Sequence, residues 1–159
     1  MSLLDMDQRL LELADRIELV YSPFVDAKEF PENVDITLVE GSVSNEENLE
    51  QILRIRERTK ILVSLGDCAV TGNVPSMRNA FSIDQILEPA YRGNHNTNVK
   101  IPFEEVPHLL QVVTPVHSTV KVDVFVPGCP PSADVIHYTI AELLEGRMPD
   151  LNALTRFGK

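Results

Sequence analysis

Two apolar runs, each ending in a cysteine, constrain the fold of this chain more than any other feature. Residues 60–68 read KILVSLGDC, and residues 122–129 read VDVFVPGC and are followed by two prolines. A short run rich in Val, Ile and Leu that stops at Gly or Pro is typical of a buried strand. Parallel strands of one sheet would deliver both thiols to its carboxyl edge, where open α/β sheets place their ligands. Because Cys68 and Cys129 are the only cysteines, the pattern predicts one site built from both.

Helical and strand patterns alternate along the chain, which predicts an α/β fold with a parallel sheet. Ser44 and Glu47 form a capping-box signature for a helix that runs to about residue 58. All of 1–159 is expected to be one domain, with 147–159 as a C-terminal tail. The predicted strands are 18–21, 35–39, 61–65 and 122–126; the other predicted helices are 3–17, 83–90 and 130–146, with a helical turn at 109–113 and loops at 72–75 and 92–102.

The order of these elements predicts a flavodoxin-like, doubly wound sheet that lacks its first strand. Such a sheet usually begins with a strand that lies inside it, between the second and third strands. This sequence begins with a helical pattern instead, which would leave a gap in the sheet and unpaired backbone groups. We therefore expect either a different strand order or a strand supplied by residues before Met1.

Composition narrows the class of protein. A chain of 159 residues with 43% hydrophobic residues suits a single globular domain. No apolar stretch approaches the roughly 18 residues of a membrane span, and the N-terminus does not have the pattern of a signal peptide. A net charge of −10 argues against a nucleic-acid partner. Two cysteines do not make a disulfide framework, so a cytoplasmic location is predicted.

Three chemistries fit two cysteines at strand ends. Iron–sulfur clusters take thiolate ligands, and the glycine turns at Gly66 and Gly128 could supply backbone N–H donors to the cluster sulfurs. Zinc also favours thiolates and could recruit His95, His117 or His137, although none has a ligand-like spacing to a cysteine. Free cysteines are also common as small buried residues. The residue pattern by itself leaves these three open.

Two acidic residues are weaker candidates at the same predicted edge. Glu40 ends a strand and could carry protons or contact a partner, although a lone acid in this position is more often solvated. Asp67, beside Cys68, either caps a turn or meets a partner chain. No P-loop, dinucleotide glycine fingerprint or serine-hydrolase elbow is present. No catalytic residue is therefore predicted.

Longer segments of the chain resemble a known family. YSPFVDAKEFPENVDITLVEGSVSNEENL, GDCAVTGNVPSMRN and TPVHSTVKVDVFVPGCPPSAD closely resemble the small subunit of cytoplasmic NAD-reducing [NiFe] hydrogenases. The resemblance covers nearly all of 3–146. A more distant likeness is to the cluster-carrying subunit of respiratory NADH–quinone oxidoreductase.

The resemblance implies a flavodoxin-like domain that holds one [4Fe–4S] cluster. Such a subunit conducts electrons between the nickel–iron centre of the large subunit and the diaphorase subunits that reduce NAD, and it has no activity alone. By resemblance, Cys68 and Cys129 each bind one iron.

The sequence departs from the family pattern at its start. The family has two further cysteine ligands in a C-x-x-C-H motif after the first strand, and this sequence does not contain that motif. In the family, the stretch after the motif reads much like residues 1–5. The missing strand and the missing motif are therefore expected to be one segment before Met1, and the sequence as written provides two of four thiolates.

Two alternatives stay open. One is an equivalent cluster subunit of another hydrogenase type or of a quinone-reducing complex. The other, from a different class, is a flavin-binding or plain interaction module that keeps the flavodoxin-like fold without a cluster, and the absent ligands favour it for this polypeptide.

A polypeptide of these 159 residues, purified alone, is expected to hold no stable [4Fe–4S] cluster. Cubane clusters normally take one protein ligand per iron, and the sequence has only two cysteines. Iron and acid-labile sulfide analysis of the purified chain measures this directly. A stoichiometric four-iron content would contradict the expectation.

Overall fold

The computed structural model describes residues 3–23, 25–93 and 100–155. Short 3-10 turns occur at Leu4–Met6, Met77–Ala80 and Val116–Ser118. The described helices are α1 (Gln8–Ala14), α2 (Glu46–Arg58), α3 (Asp67–Thr71), α4 (Asn73–Ser76), α5 (Ile83–Arg92) and α6 (Ala133–Leu144), and the described strands are β1 (Val34–Glu40), β2 (Val43–Asn45), β3 (Thr59–Leu65), β4 (Leu109–Thr114) and β5 (Val124–Val126).

The main sheet has three parallel strands in the order β1-β3-β5. The gap expected between the strands at 35–39 and 61–65 is absent, because β1 and β3 are hydrogen-bonded neighbours. Its centre is β3, whose Leu62 and Val63 are fully buried on opposite faces. Leu62 packs with Ile52 of α2, and Val63 packs with Val135 of α6. Helices therefore cover both faces, which explains why these strands are nearly continuous apolar runs. The predicted α/β class is confirmed, as are the strands at 35–39, 61–65 and 122–126, with ends shifted by up to two residues.

The predicted strand at 18–21 is wrong. These residues join neither described sheet. A strand exists only with a neighbour to share its hydrogen bonds, and among the described strands β1 pairs with β3 alone. Within the described ranges no strand pairs with the other side of β1, and its apolar side chains Ile36 and Leu38 are only partly buried.

A second, two-stranded sheet overturns the predicted helical turn at 109–113. That segment is β4, which pairs antiparallel with β2. Its register is held from outside the sheet, because Asn79 bonds both backbone groups of Val113, at 2.8 and 2.9 Å. Arg78 Nη2 donates to the carbonyls of Ser44 and Leu110, each at 2.8 Å. These partners lie more than 30 residues away in sequence, so local periodicity does not reveal them.

Two local predictions also change at helix starts. Asn45, not Ser44, caps α2, since the Asn48 N–H donates to Asn45 Oδ1 at 2.7 Å. Ser44 Oγ instead donates to Asn48 Oδ1 at 3.0 Å. The predicted loop at 72–75 is mostly the short helix α4, whose proline sits in the first turn, where the missing N–H costs nothing.

Both ends of the described chain pack onto the core. Met6 and Leu13 are buried against Ile136 and Ile140 of α6, although α1 ends at Ala14 and is shorter than the predicted helix 3–17. In the predicted tail, Leu151 is 8% exposed and packs in the same core cluster as Val63 of β3 and Val135 of α6. Within the described ranges, none of the helices combines the length and the apolar character needed to cross a bilayer.

One carboxylate fixes β5 beside β3. Asp123 Oδ2 accepts from the Leu62 N–H at 2.9 Å and from Arg56 Nη1 at 2.6 Å. The Asp123 N–H in turn donates to the Leu62 carbonyl at 2.9 Å. Burial raises the pKa of Asp123, but the bonds from Leu62 and Arg56 outweigh it and hold that pKa below its ordinary value. The start of β5 is therefore locked in register with β3.

Replacing Asp123 by Ala is expected to lower the free energy of unfolding by about 3 kcal/mol. The change leaves the buried Leu62 N–H without its acceptor and Arg56 without its charge partner. Urea denaturation measures the loss. The control is Asp35→Ala, which breaks an exposed pair with Lys60 and is expected to cost less than about 1 kcal/mol. Equal losses of stability in the two variants would show that the bonds of Asp123 do not hold β5 beside β3.

The same carboxylate predicts a pH dependence. Its folded pKa lies below the unfolded value, so its stabilisation is complete above the unfolded value and is lost as the pH falls through the folded one. Between about pH 6 and about pH 2, the native protein is therefore expected to lose more stability than Asp123→Asn.

Candidate metal centre

The loops after β3 and β5 are joined by a continuation of the sheet ladder. The Gly66 N–H donates to the Val126 carbonyl at 2.7 Å, and the Asp67 N–H donates to the Gly128 carbonyl at 2.8 Å. In the other direction, the Gly128 N–H donates to Asp67 Oδ1 at 2.7 Å. These bonds extend the pairing of the two strands beyond their last residues.

The register puts each cysteine directly after one member of a bonded pair of residues. Asp67 and Gly128 are 61 residues apart, the same separation as Leu62 and Asp123 at the other end of the strands. Cys68 follows Asp67 and Cys129 follows Gly128. The structure thus brings the two predicted thiols to one edge of the sheet, as their sequence context predicts.

Glycine is required at the turn before Cys129. Gly128 has φ 140°, and a Cβ there would lie 2.6 Å from Pro131 Cα and 2.7 Å from Pro131 N. These are backbone atoms, so no rotamer change relieves the overlap. The chain can fold back so tightly at this point only without a side chain.

The N–H groups of Gly66 and Gly128 themselves already have partners. Both are engaged within the chain: that of Gly66 with Val126 and that of Gly128 with Asp67. Neither is left to donate to a cofactor sulfur. These two N–H groups therefore shape the loops, and donation to cluster sulfurs from the other N–H groups of the two turns stays a prediction.

Asp67 holds the neighbouring loop in place. Its side chain is buried, with the residue 6% exposed, and its carboxylate accepts from the Gly128 N–H. Whether Asp67 also meets a partner chain, the other predicted role, stays a prediction. Glu40, in contrast, is exposed at the last residue of β1, in register with Leu65. It lies at the predicted edge of the sheet, where a partner or a proton carrier could reach it.

The thiols differ in exposure. Cys68 is half-buried in the first turn of α3, and Cys129 is exposed. Asn73 at the start of α4 donates from Nδ2 to Cys129 Sγ at 3.5 Å. Sequence reasoning missed this contact because it spans 56 residues, and no local pattern indicates it.

The histidines proposed for zinc are not gathered around the thiols. His117 packs edge-on against the ring of Phe125, with centroids 5.7 Å apart, and His137 is half-buried in α6. His95 lies outside the described residues. In the described part of the chain, no group of three or more His, Cys, Asp or Glu side chains is placed to hold a metal ion.

The donor set fits part of an iron–sulfur cluster. Two thiols at one edge, with one already receiving an N–H donor, match the ligand chemistry of such clusters. They supply two of the four thiolates that a cubane cluster normally takes.

The chain is similar to subunits of several hydrogenases. The family described as "NADH ubiquinone oxidoreductase, 20 Kd subunit" matches residues 1–143. The "NAD-reducing hydrogenase HoxS subunit delta" of Cupriavidus necator is 42% identical over 156 residues, which cover 95% of this chain and 75% of the relative. A subunit of the F420-non-reducing hydrogenase vhu of Methanocaldococcus jannaschii is 40% identical over 152 residues, which cover 94% of this chain. The chain spans about half of that relative, 53%.

Two further matches concern the cofactor and the fold. A relative from Archaeoglobus profundus, 29% identical over 179 residues with 56% of its length covered, is named as the iron-sulfur subunit of an F420-non-reducing hydrogenase. A crystal structure of an NAD+-reducing [NiFe]-hydrogenase in the H2-reduced state matches with a TM-score of 0.94 at 38% identity, over 99% of this chain and 90% of the matched chain. This agreement confirms the predicted flavodoxin-like α/β class.

Replacing Gly128 by Ala is expected to destabilise the chain more than replacing Gly41 by Ala. Both glycines have positive φ, but a Cβ at Gly41 meets nothing within 4 Å. The Gly41 change should therefore cost about 1 to 2 kcal/mol of backbone strain, and the Gly128 change about 2 kcal/mol more because of its overlap with Pro131. Urea denaturation of the two variants compares them. A similar loss in both would show that the close approach to Pro131 does not matter.

Proposed function

Because this chain belongs to the family of the 20 kDa subunit of NADH ubiquinone oxidoreductase, we propose that it relays electrons within a [NiFe] hydrogenase complex through a [4Fe–4S] cluster. The chain is homologous to the small electron-transfer subunits of NAD-reducing [NiFe] hydrogenase and of related hydrogenases, which confirms the predicted resemblance. It is thus a non-catalytic subunit of an oxidoreductase.

The common register of the two thiol loops is the observation that carries this proposal. Asp67 and Gly128, the residues directly before Cys68 and Cys129, are bonded to each other, which supports a single site that contains both thiols. In the proposed site, each thiolate binds one iron, and the cluster takes its other two ligands from residues outside this sequence. The cluster, when bound, supplies one-electron reduction and reoxidation.

The remaining site residues have supporting roles in the proposal. Asp67 and the glycines Gly66 and Gly128 keep the two ligand loops rigid, so that the thiolates are held in place before a cluster binds. Glu40, exposed at the same edge, carries protons or contacts the partner. Residues 1–159 form one iron–sulfur domain, in which Leu151 anchors the start of the tail.

The proposed partners are the nickel–iron large subunit and NAD-reducing diaphorase subunits, in the cytoplasm. The large subunit would cover Cys129, since an exposed ligand thiol leaves a cluster open to solvent.

A complex with a different electron acceptor is the second candidate. The relative from M. jannaschii is almost as similar as the NAD-reducing one, at 40% against 42% identity. The two relatives differ little in identity, so the electron acceptor has to be found by assay.

The test is to isolate the complex through a tag on this chain and to assay hydrogen-dependent reduction of NAD+. The variants Cys68→Ser and Cys129→Ser are expected to lose cluster iron and the associated EPR signal, together with NAD+ reduction. The control His137→Ala, which removes a candidate zinc ligand, should keep the cluster iron, the EPR signal and NAD+ reduction.

The outcomes separate the alternatives. Full iron content in either cysteine variant would overturn the ligand assignment. Hydrogen oxidation with another acceptor, but not with NAD+, would favour the second candidate function. A tagged chain that copurifies with a flavin and no iron would instead support the cluster-free module.

A further inference from the structure

Asn73 has a backbone conformation that only a few residues adopt. Its φ is +33°, in the left-handed region, directly after Gly72 at φ +85°. Asn tolerates this region better than most residues, but glycine does so at lower cost. A side chain kept at such a position calls for a contact that offsets the backbone strain.

The contact is with the thiol of Cys129. Asn73 Nδ2 lies 3.5 Å from Cys129 Sγ. The backbone of Asn73 is bonded separately: its N–H donates to Thr71 Oγ1 at 3.3 Å, and its carbonyl accepts from Ser76 Oγ at 2.7 Å. The turn is therefore held without the side chain, whose amide is available to the sulfur.

The chemistry of a ligand thiolate fixes the direction of this bond. A metal-bound thiolate has no proton, so it accepts and does not donate. Of the two ends of an amide, only the NH2 group can then approach it favourably. Hydrogen bonds to the sulfurs help to set the reduction potential of a cluster. An N–H donor favours the reduced state because that state carries more negative charge on its sulfurs.

We propose that Asn73 is a positioning residue that donates an N–H to the sulfur of Cys129 and thereby raises the reduction potential of the cluster. This inference rests on the proposed role of Cys129 as an iron ligand. It goes beyond that role by naming a residue outside the ligand set that controls the energy of the electron transfer.

Two substitutions test the bond. Asn73→Gly removes the donor and suits the backbone, and Asn73→Asp keeps the shape but places a carboxylate against the sulfur. In the isolated complex, potentiometric titration followed by EPR is expected to show a more negative midpoint potential for both, with the larger shift in Asn73→Asp. Val74→Ala, at the exposed neighbouring residue, should leave the potential unchanged.

A purely structural role would change stability but leave the potential where it is. Full iron content with an unmoved potential in Asn73→Asp would therefore overturn this inference and leave the proposed function intact.

A second measurement applies whether or not a cluster is present. In the isolated chain with Cys68→Ser, the rate at which iodoacetamide alkylates Cys129 at fixed neutral pH reports how well the thiolate is stabilised. Asn73→Gly, which removes the N–H donor without adding a charge, is expected to slow this reaction relative to Val74→Ala. If the complex holds no iron, slower alkylation would support the contact while the cluster role fails; an unchanged rate would overturn the contact as well.

Discussion

The rest of the site depends on the pairing of β3 with β5 in a single register. Two aspartates secure it at opposite ends: Asp123 binds the backbone of Leu62 where β5 begins, and Asp67 binds the backbone of Gly128 just beyond its end. In each case a carboxylate oxygen of one segment accepts from a backbone N–H of the other. A slip by one residue would exchange the buried and exposed faces of the strand and would separate the thiols. The hydrophobic core and the ligand geometry therefore select the same register.

The segments Gly-Asp-Cys and Pro-Gly-Cys depend on each other in the structure. Asp67 of the first segment accepts a hydrogen bond from the Gly128 N–H of the second. Gly128, which has no side chain, leaves room for Pro131. Each loop thus completes the hydrogen bonds of the other, with buried polar groups paired as the interior requires. As a result, the N–H groups of Gly66 and Gly128 bond within the chain and do not reach a sulfur. The hydrogen bond to sulfur that the structure shows comes from a side chain, that of Asn73.

The sequence predicts a feature well when neighbouring residues determine it and poorly when residues distant in sequence determine it. Strands β3 and β5 are evident because every residue of an apolar run is consistent with burial, and the site edge follows from their ends. The strand β4 and the contact between Asn73 and Cys129 were missed, because partners more than 30 residues away decide them. The error at 18–21 has the same origin: the local pattern is extended, but no described strand lies beside it. The role of Asp67 needed the structure for this reason too.

The unequal exposure of the two thiols has a consequence for how electrons reach the site. Cys68 sits in a helix whose next two residues, Ala69 and Val70, are buried, so this side of the site is packed against the interior of the chain. Cys129 is exposed, so on that side the surroundings depend on whatever packs there. An electron-transfer group works best where water is excluded and dipoles are fixed in advance. The chain provides these conditions on the β3 side, and a partner that covers Cys129 would provide them on the other. The potential of the cluster would then belong to the assembled complex, with Asn73 as the contribution of this chain on the open side.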